Sequence, residues 1–343
     1  MTARILLAAV AAAVGVAAFA EDKKPAEPKK VETLGTVERL DPKLDDLIPK
    51  DAVIEVLADG FKWAEGPVWD KKEKAVLFTD IPNNRVMKWS EKDGLKEHIK
   101  PSGYTGTSEF KGKEPGANGL AFDKDGNLIL CQHGDRRVSR LEKDGKFTPL
   151  VEKYEGKRLN SPNDLAFKSN GDLYFTDPPY GLPGQMKDPA KELDFQGVYR
   201  LTPKGELTLL NAVITRPNGI AFSPDEKTLY VANSDPDHAH WMAYPVRDDG
   251  TIGPGRVFFD VVDLVKKKKP GLPDGLKVDA KGNLFATGPG GVFVFTPEGK
   301  HLGTLATGVP TANCGWGDDG STLYITANDK LVRVKTTTKG LGF

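Results

Sequence analysis

Six oxygen-bearing residues, Glu65, Asn118, Asn163, Asn218, Asp274 and Asn313, stand at the same point of a recurring segment. The segments are AEGPVWDKKEKAVLFTD from Ala64, ANGLAFDKDGNLILCQH from Ala117, PNDLAFKSNGDLYFTD from Pro162, PNGIAFSPDEKTLYVAN from Pro217, PDGLKVDAKGNLFATG from Pro273 and ANCGWGDDGSTLYITA from Ala312. Each reads as a strand, a tight polar turn and a second strand, with the oxygen-bearing residue opening the first strand. Asn and Asp are common turn residues, and Pro-Asn-Gly closes many connections. That accounts for some of these positions but not for Glu65. If the side chains converge, two carboxylates and four amide carbonyls suit a hard cation, which takes about six to eight oxygen ligands. One divalent cation is therefore expected, calcium first, with magnesium, manganese and zinc as alternatives. His and Cys are missing from the set, so zinc, copper and iron match it poorly. A hydrated polar plug is the competing reading.

The second strand of each hairpin returns to the same end, where Asp80, His133, Asp177 and Asn233 form a second polar tier. Hairpins at the opposite end are short, whereas the connections at the oxygen-rich end are long: 100–116, 178–196, 234–240 and 262–272. Long loops gather where ligands bind, so the oxygen-rich end is the expected open face. Asn118, Asn163, Asn233 and Asn313 are candidate substrate contacts there. The Lys266 to Lys269 run reads as a solvated charge run. Asp123-Lys-Asp125-Gly126-Asn127 lacks the closing Glu of an EF-hand loop and reads as a hairpin turn.

The elements that must position these residues repeat as well. A third strand follows every hairpin, from RVMKWS at Arg85 to LVRVK at Leu331, and a fourth follows five of the six. The last hairpin lacks its own fourth strand, but an unassigned strand, VIEVLA from Val53 to Ala58, precedes the first hairpin. The expected fold is all-β: a six-bladed β-propeller with four strands per blade, the outer strand of the last blade coming from the N-terminal segment. A β-sandwich explains neither the sixfold repeat nor the missing strand. Ahead of the propeller, expected over residues 51–343, Arg4 and an apolar run from Ile5 to Ala17 precede Ala18-Phe19-Ala20. This is the pattern of a signal peptide cut near Ala20, and the run is too short for a membrane span. The reading is therefore of an exported protein. The Lys/Glu/Pro-rich residues 21–50 read as a solvated linker.

Composition removes several function classes. The 343 residues carry 48 Lys+Arg against 48 Asp+Glu, so no basic surplus exists to grip nucleic acid. Two cysteines, Cys131 and Cys314, make no disulfide framework and read as buried free thiols. Absent too are the G-x-S-x-G elbow, H-E-x-x-H, the phosphate-cradling P-loop and the dinucleotide fingerprint.

The E-G-P-V-W at Glu65, S-P-N-D-L at Asn163, F-T-D-P-P-Y-G at Asp177, R-P-N-G-I at Asn218 and G-L-P-D-G at Asp274 resemble the gluconolactonase/regucalcin family of six-bladed propellers. The resemblance covers about Val53 to Lys335. It implies that Glu65, Asn218 and Asp274 are divalent-metal ligands and that Asn163 binds the metal or holds substrate beside it. The same four positions are similar to the calcium site of the related diisopropyl-fluorophosphatase propellers. The implied activity is metal-dependent opening of sugar-type 1,4- or 1,5-lactones by a monomer. Asp274 is the first candidate for general base, as ligand and base together, with His133 or Asp177 as alternatives. Phosphotriester hydrolysis and a non-catalytic sugar- or partner-binding propeller with a structural metal are the competing functions.

Overall fold

The second strand of each hairpin is apolar on both faces, as a strand sandwiched between neighbouring sheets must be. In the computed structural model, which describes Met1 and residues 31–343, Ala75–Asp80, Leu173–Asp177, Leu284–Gly288 and Thr322–Ala327 are buried along their whole length. The outermost strand Gly94–Ile99 is half-buried to exposed and carries Lys and Glu. Blade one runs outward as Ala64–Asp70, Ala75–Asp80, Arg85–Ser90 and Gly94–Ile99, all antiparallel. Four further blades repeat that order, with innermost strands beginning at Ala117, Leu165, Pro217 and Leu276. The last, Thr311–Gly317, Thr322–Ala327 and Lys330–Lys335, takes its outer strand Glu55–Ala58 from the opposite end of the described chain. Glu55 lies opposite Arg333 and accepts a 2.6 Å hydrogen bond from its Nε. The ring closes as the repeat predicts.

Apolar side chains of adjacent blades share each seam. Between blades two and three, Ile129, Cys131 and Val138 meet Phe175 and Tyr199. Hydroxyls tie blades together nearer the axis: Thr79 Oγ1 donates to the Asn118 carbonyl (3.1 Å), Thr176 Oγ1 to that of Asn218 (2.7 Å) and Thr287 Oγ1 to that of Ala312 (2.8 Å). Both cysteines are free and buried.

The segment ahead of the ring departs from expectation. Within the linker expected over 21–50, residues 32–50 are built into the fold. Thr36–Arg39 adds a fifth strand to blade five, antiparallel to His301–Ala306. A 3-10 turn at Pro42–Asp46 follows, and Leu44, Leu47 and Ile48 are buried in the seam of blades five and six beside Phe285, Val292 and Val332. These few apolar residues sit among Lys, Asp and Pro, so composition conceals them. The added strand also covers the edge of blade five. The expected signal peptide and the linker up to residue 30 lie outside the described residues, Met1 excepted. Among the described residues no helix is long and apolar enough to cross a membrane.

Candidate active site

Each oxygen-bearing residue of the repeat sits where its innermost strand is irregular. In blades one, two and four the register skips a residue at or just after it, between Glu65 and Val68, Ala117 and Leu120, and Pro217 and Ile220. In blades three and five the residue precedes the strand, which begins at Leu165 or Leu276. A bulge re-aims its side chain, here toward the axis. In blades one, two, four and five the glycine that follows it leaves room for the next blade. A Cβ on Gly219 would lie 2.3 Å from the Asp274 carbonyl, and one on Gly275 would lie 1.9 Å from Asn313 Cγ.

Glu65, Asn118, Asn163, Asn218 and Asp274 line one cavity of about 220 Å³ at the end of the channel. Its walls come from the long loops, with Glu114, Tyr180, Ser234 and Leu272 each supplied by a different one. Asn118 Oδ1, Asn163 Oδ1, Asn218 Oδ1 and Asp274 Oδ1 are buried there without any hydrogen-bond partner. Orphaned buried acceptors are uncommon, and four on one cavity are what a hard cation or a ligand would satisfy. Among the described residues no three His, Cys, Asp or Glu cluster as a metal cage; the donors here are mostly amide oxygens. Two supports hold the set in place. Asn218 Nδ2 donates to Ser234 Oγ (2.9 Å), which itself donates to the Pro273 carbonyl, linking blade four to the residue before Asp274. Glu65 Oε2 accepts from its neighbour's backbone, the Gly66 N–H, and from Asn313 Nδ2 at 3.0 Å.

The electrostatics agree with the donor set. Burial, then the nearby Asp164 carboxylate, push Glu65 up to about 8. Burial, then Glu65, push Asp274 well above the usual carboxylate range. Lys277 Nζ is 4.0 Å from Asp164 Oδ2. Buried side by side, the Glu65 and Asp274 carboxyls therefore resist ionising, and a bound cation would favour their charged forms. Tyr180 is pushed up by burial and by Asp274, so its phenol keeps its proton and remains a donor.

Residues 63–329 match the profile of the SMP-30/gluconolactonase/LRE-like region. The chain belongs to this family. A gluconolactonase from Zymomonas mobilis is 39% identical over 315 residues, which cover 90% of this chain and 88% of the relative. A gluconolactonase from Xanthomonas campestris, solved as a structure, superposes with a TM-score of 0.78 at 32% identity, covering 92% of this chain and 99% of that one. A pentonolactonase from Haloferax volcanii is 25% identical over 80% of this chain and 84% of its own length.

Not every residue expected in the site of this family member reaches it. Asp177, an alternative base, is buried behind the cavity wall: its Oδ2 accepts from the Asn160 N–H (2.8 Å), and the carboxylate faces the seam toward Arg136 and Lys191. His133, the other alternative, is fully buried and stands behind Glu114. Asn233, an expected substrate contact, does not line this cavity. Its Oδ1 accepts from the Arg216 N–H (2.9 Å), its Nδ2 donates to the His238 carbonyl (3.0 Å), and it borders a separate surface pocket. Asn313 lies below the cavity as a support for Glu65, its own Oδ1 accepting from the Cys314 N–H. The Lys266 to Lys269 run is exposed and does not line the cavity.

Glu114, Tyr180, Ser234 and Asp164 were not singled out by the repeat. Asp164 had a signal, since it replaces the glycine found at Gly66, Gly119, Gly219 and Gly275. Tyr180 also had one, in the P-P-Y-G that follows the third segment. Gly181 lets that loop press inward: a Cβ there would lie 2.6 Å from His133 Cβ. Ser161 anchors the same loop, donating to the Pro178 carbonyl (2.6 Å) and accepting from the Gly181 N–H (2.9 Å).

Proposed function

We propose that this protein is an exported, metal-dependent hydrolase that opens sugar-type lactones. The reading rests on the cup: four unpartnered side-chain oxygens and the Glu65 carboxylate face one cavity, in a chain whose close relatives are gluconolactonases. Glu65, Asn163, Asn218 and Asp274 would hold the cation, with calcium the best match to amide and carboxylate oxygens. When bound it supplies Lewis-acid polarisation of the substrate carbonyl.

The chain's own residues supply the rest. Asp274, whose Oδ1 has no other partner, accepts a proton from the water that attacks the carbonyl carbon. Breaking the ring C–O bond leaves an alkoxide, which takes that proton, and the product is the open hydroxy acid. Asn118 offers a second unpartnered oxygen from the opposite wall, and Tyr180 donates a hydrogen bond from its protonated phenol.

Purified protein should open D-glucono-1,5-lactone well above the buffer rate, lose that activity to a chelator and regain it with calcium. Asp274→Asn should lower kcat/KM by about a hundredfold or more. Metal-loaded protein that opens no lactone above the buffer rate overturns the reading, and turnover of phosphotriesters instead would move it to that chemistry. Export belongs to the same proposal, supported by Arg4, the apolar run and Ala18-Phe19-Ala20. The protein recovered from its native host should begin at Glu21, and N-terminal sequencing that finds Met1 intact rules export out.

A further inference from the structure

Glu114 reaches the cavity from the long loop 100–116, outside the repeat. The loop is pinned at both ends. Asn84 Oδ1 accepts from the Ser102 and Gly103 N–H groups at 3.0 and 2.8 Å, and Ser102 Oγ accepts from the Ala117 N–H at 3.0 Å. Gly116 donates to the Ile81 carbonyl (3.0 Å), and its own carbonyl accepts from the His133 N–H (3.2 Å). A Cβ on Gly116 would lie 2.5 Å from that Ile81 carbonyl oxygen, so glycine is what permits the approach. Main-chain bonding thus brings the segment carrying Glu114 against His133.

The His133 imidazole is fully buried, and Nδ1 lies 3.1 Å from Glu114 Oε2. That contact is off the line of a straight hydrogen bond, and neither ring nitrogen has another partner. A buried imidazole without a partner is costly, and a small rotation of the Glu114 side chain, 29% exposed, would align the two. One carboxylate oxygen would then be held by His133 while the other remains open to the cavity. Glu114 is not one of the unpartnered ring oxygens, yet it shares their cavity with Tyr180 and Asp274.

We propose that Glu114, oriented by the buried imidazole of His133, binds the ring hydroxyls of a sugar-type lactone at the mouth of the cup; the proposal rests on the lactonase reading above. A carboxylate only accepts hydrogen bonds, and a polyhydroxylated ring offers adjacent O–H donors that match it. An unsubstituted lactone offers none. Glu114 is thereby a specificity residue and His133 a positioning residue.

The test compares two lactones, D-glucono-1,5-lactone and δ-valerolactone, and two non-hydrolysable lactams of the same rings, D-glucono-1,5-lactam and 2-piperidinone. Glu114→Gln should raise KM for the gluconolactone and the calorimetric Kd of its lactam about tenfold or more, with kcat for the gluconolactone changed far less. The preference for the hydroxylated ring should fall by the same factor. His133→Ala should reproduce the loss, and His133→Asn, whose amide can take the place of Nδ1–H, should restore most of it. Equal losses for hydroxylated and bare rings, or no loss for either, overturn the proposal, as does an unchanged lactam Kd in Glu114→Gln. Should His133→Ala fail to fold, Glu114→Gln decides alone. Lactam binding is read without turnover: Glu114-dependent binding in a protein that opens no lactone keeps the subsite and discards the lactonase reading.

Discussion

Asp177 is a buried acid that the proposed chemistry does not use, and its cost should be visible. Burial pushes its carboxyl up to about 7 from an ordinary 3.8, while bonds from the Asn160 and Ser161 backbones and the charges of Arg136 and Lys191 act the other way. A raised acid binds its proton more tightly in the folded than in the unfolded chain. The stability it permits is therefore full below pH 3.8 and lost as pH rises through about 7. Asp177→Asn keeps an acceptor for the Asn160 N–H and removes the charge. Its Tm relative to wild type should be higher at pH 8 than at pH 5. A difference equal at both pH values, or larger at pH 5, would mean that Arg136 and Lys191 already stabilise the ionised form.

The strand and 3-10 turn ahead of the ring carry a separate consequence. Relative to a chain beginning at Val31, removal through Lys50 strips the strand Thr36–Arg39 and the buried Leu44, Leu47 and Ile48. At about 1.5–3 kcal/mol for each fully buried aliphatic side chain, the domain should lose several kcal/mol and melt at a clearly lower temperature. Removal through Ala58 also takes Glu55–Ala58 and leaves Lys330–Lys335 as an open edge, so that chain should aggregate on size-exclusion chromatography. Equal melting of the chains beginning at Val31 and Asp51 would show that the N-terminal turn is dispensable. A soluble, equally stable chain lacking Glu55–Ala58 would contradict closure of the ring by that strand.

The proposed cation ligands come from blades one, three, four and five, so a bound ion joins sheets that are far apart along the chain. Ligand bound only by the folded state adds about 2.7 kcal/mol at a hundredfold excess over Kd. Calcium should therefore raise the Tm of the whole domain by several degrees in one transition, and a chelator should reverse it. Asp274→Asn, which removes one of two anionic ligands, should shift the calcium titration to higher concentration. A wild-type Tm indifferent to calcium would leave the cup without its proposed ion.

Hairpins, blades and ring closure were all legible in the residues, because strand alternation and turn chemistry are local and the repeat places equal positions at equal heights around one axis. For the same reason the repeat alone picks out Glu65, Asn118, Asn163, Asn218 and Asp274, which line one cavity. Height is not direction, however. Successive strand residues point to opposite faces, so Asp177 and Asn233, correctly placed at the open end, turn into blade seams and bond to backbone there. Glu114, Tyr180 and Ser234 sit in loops that carry no repeat, and their positions depend on contacts with Ile81, Ser161 and Pro273 from other parts of the chain. Leu44, Leu47 and Ile48 look solvated until residues 285–334 assemble the seam that buries them. Local rules built the scaffold and its ring of oxygens; long-range packing chose which polar side chains face the ligand and which are spent holding the walls.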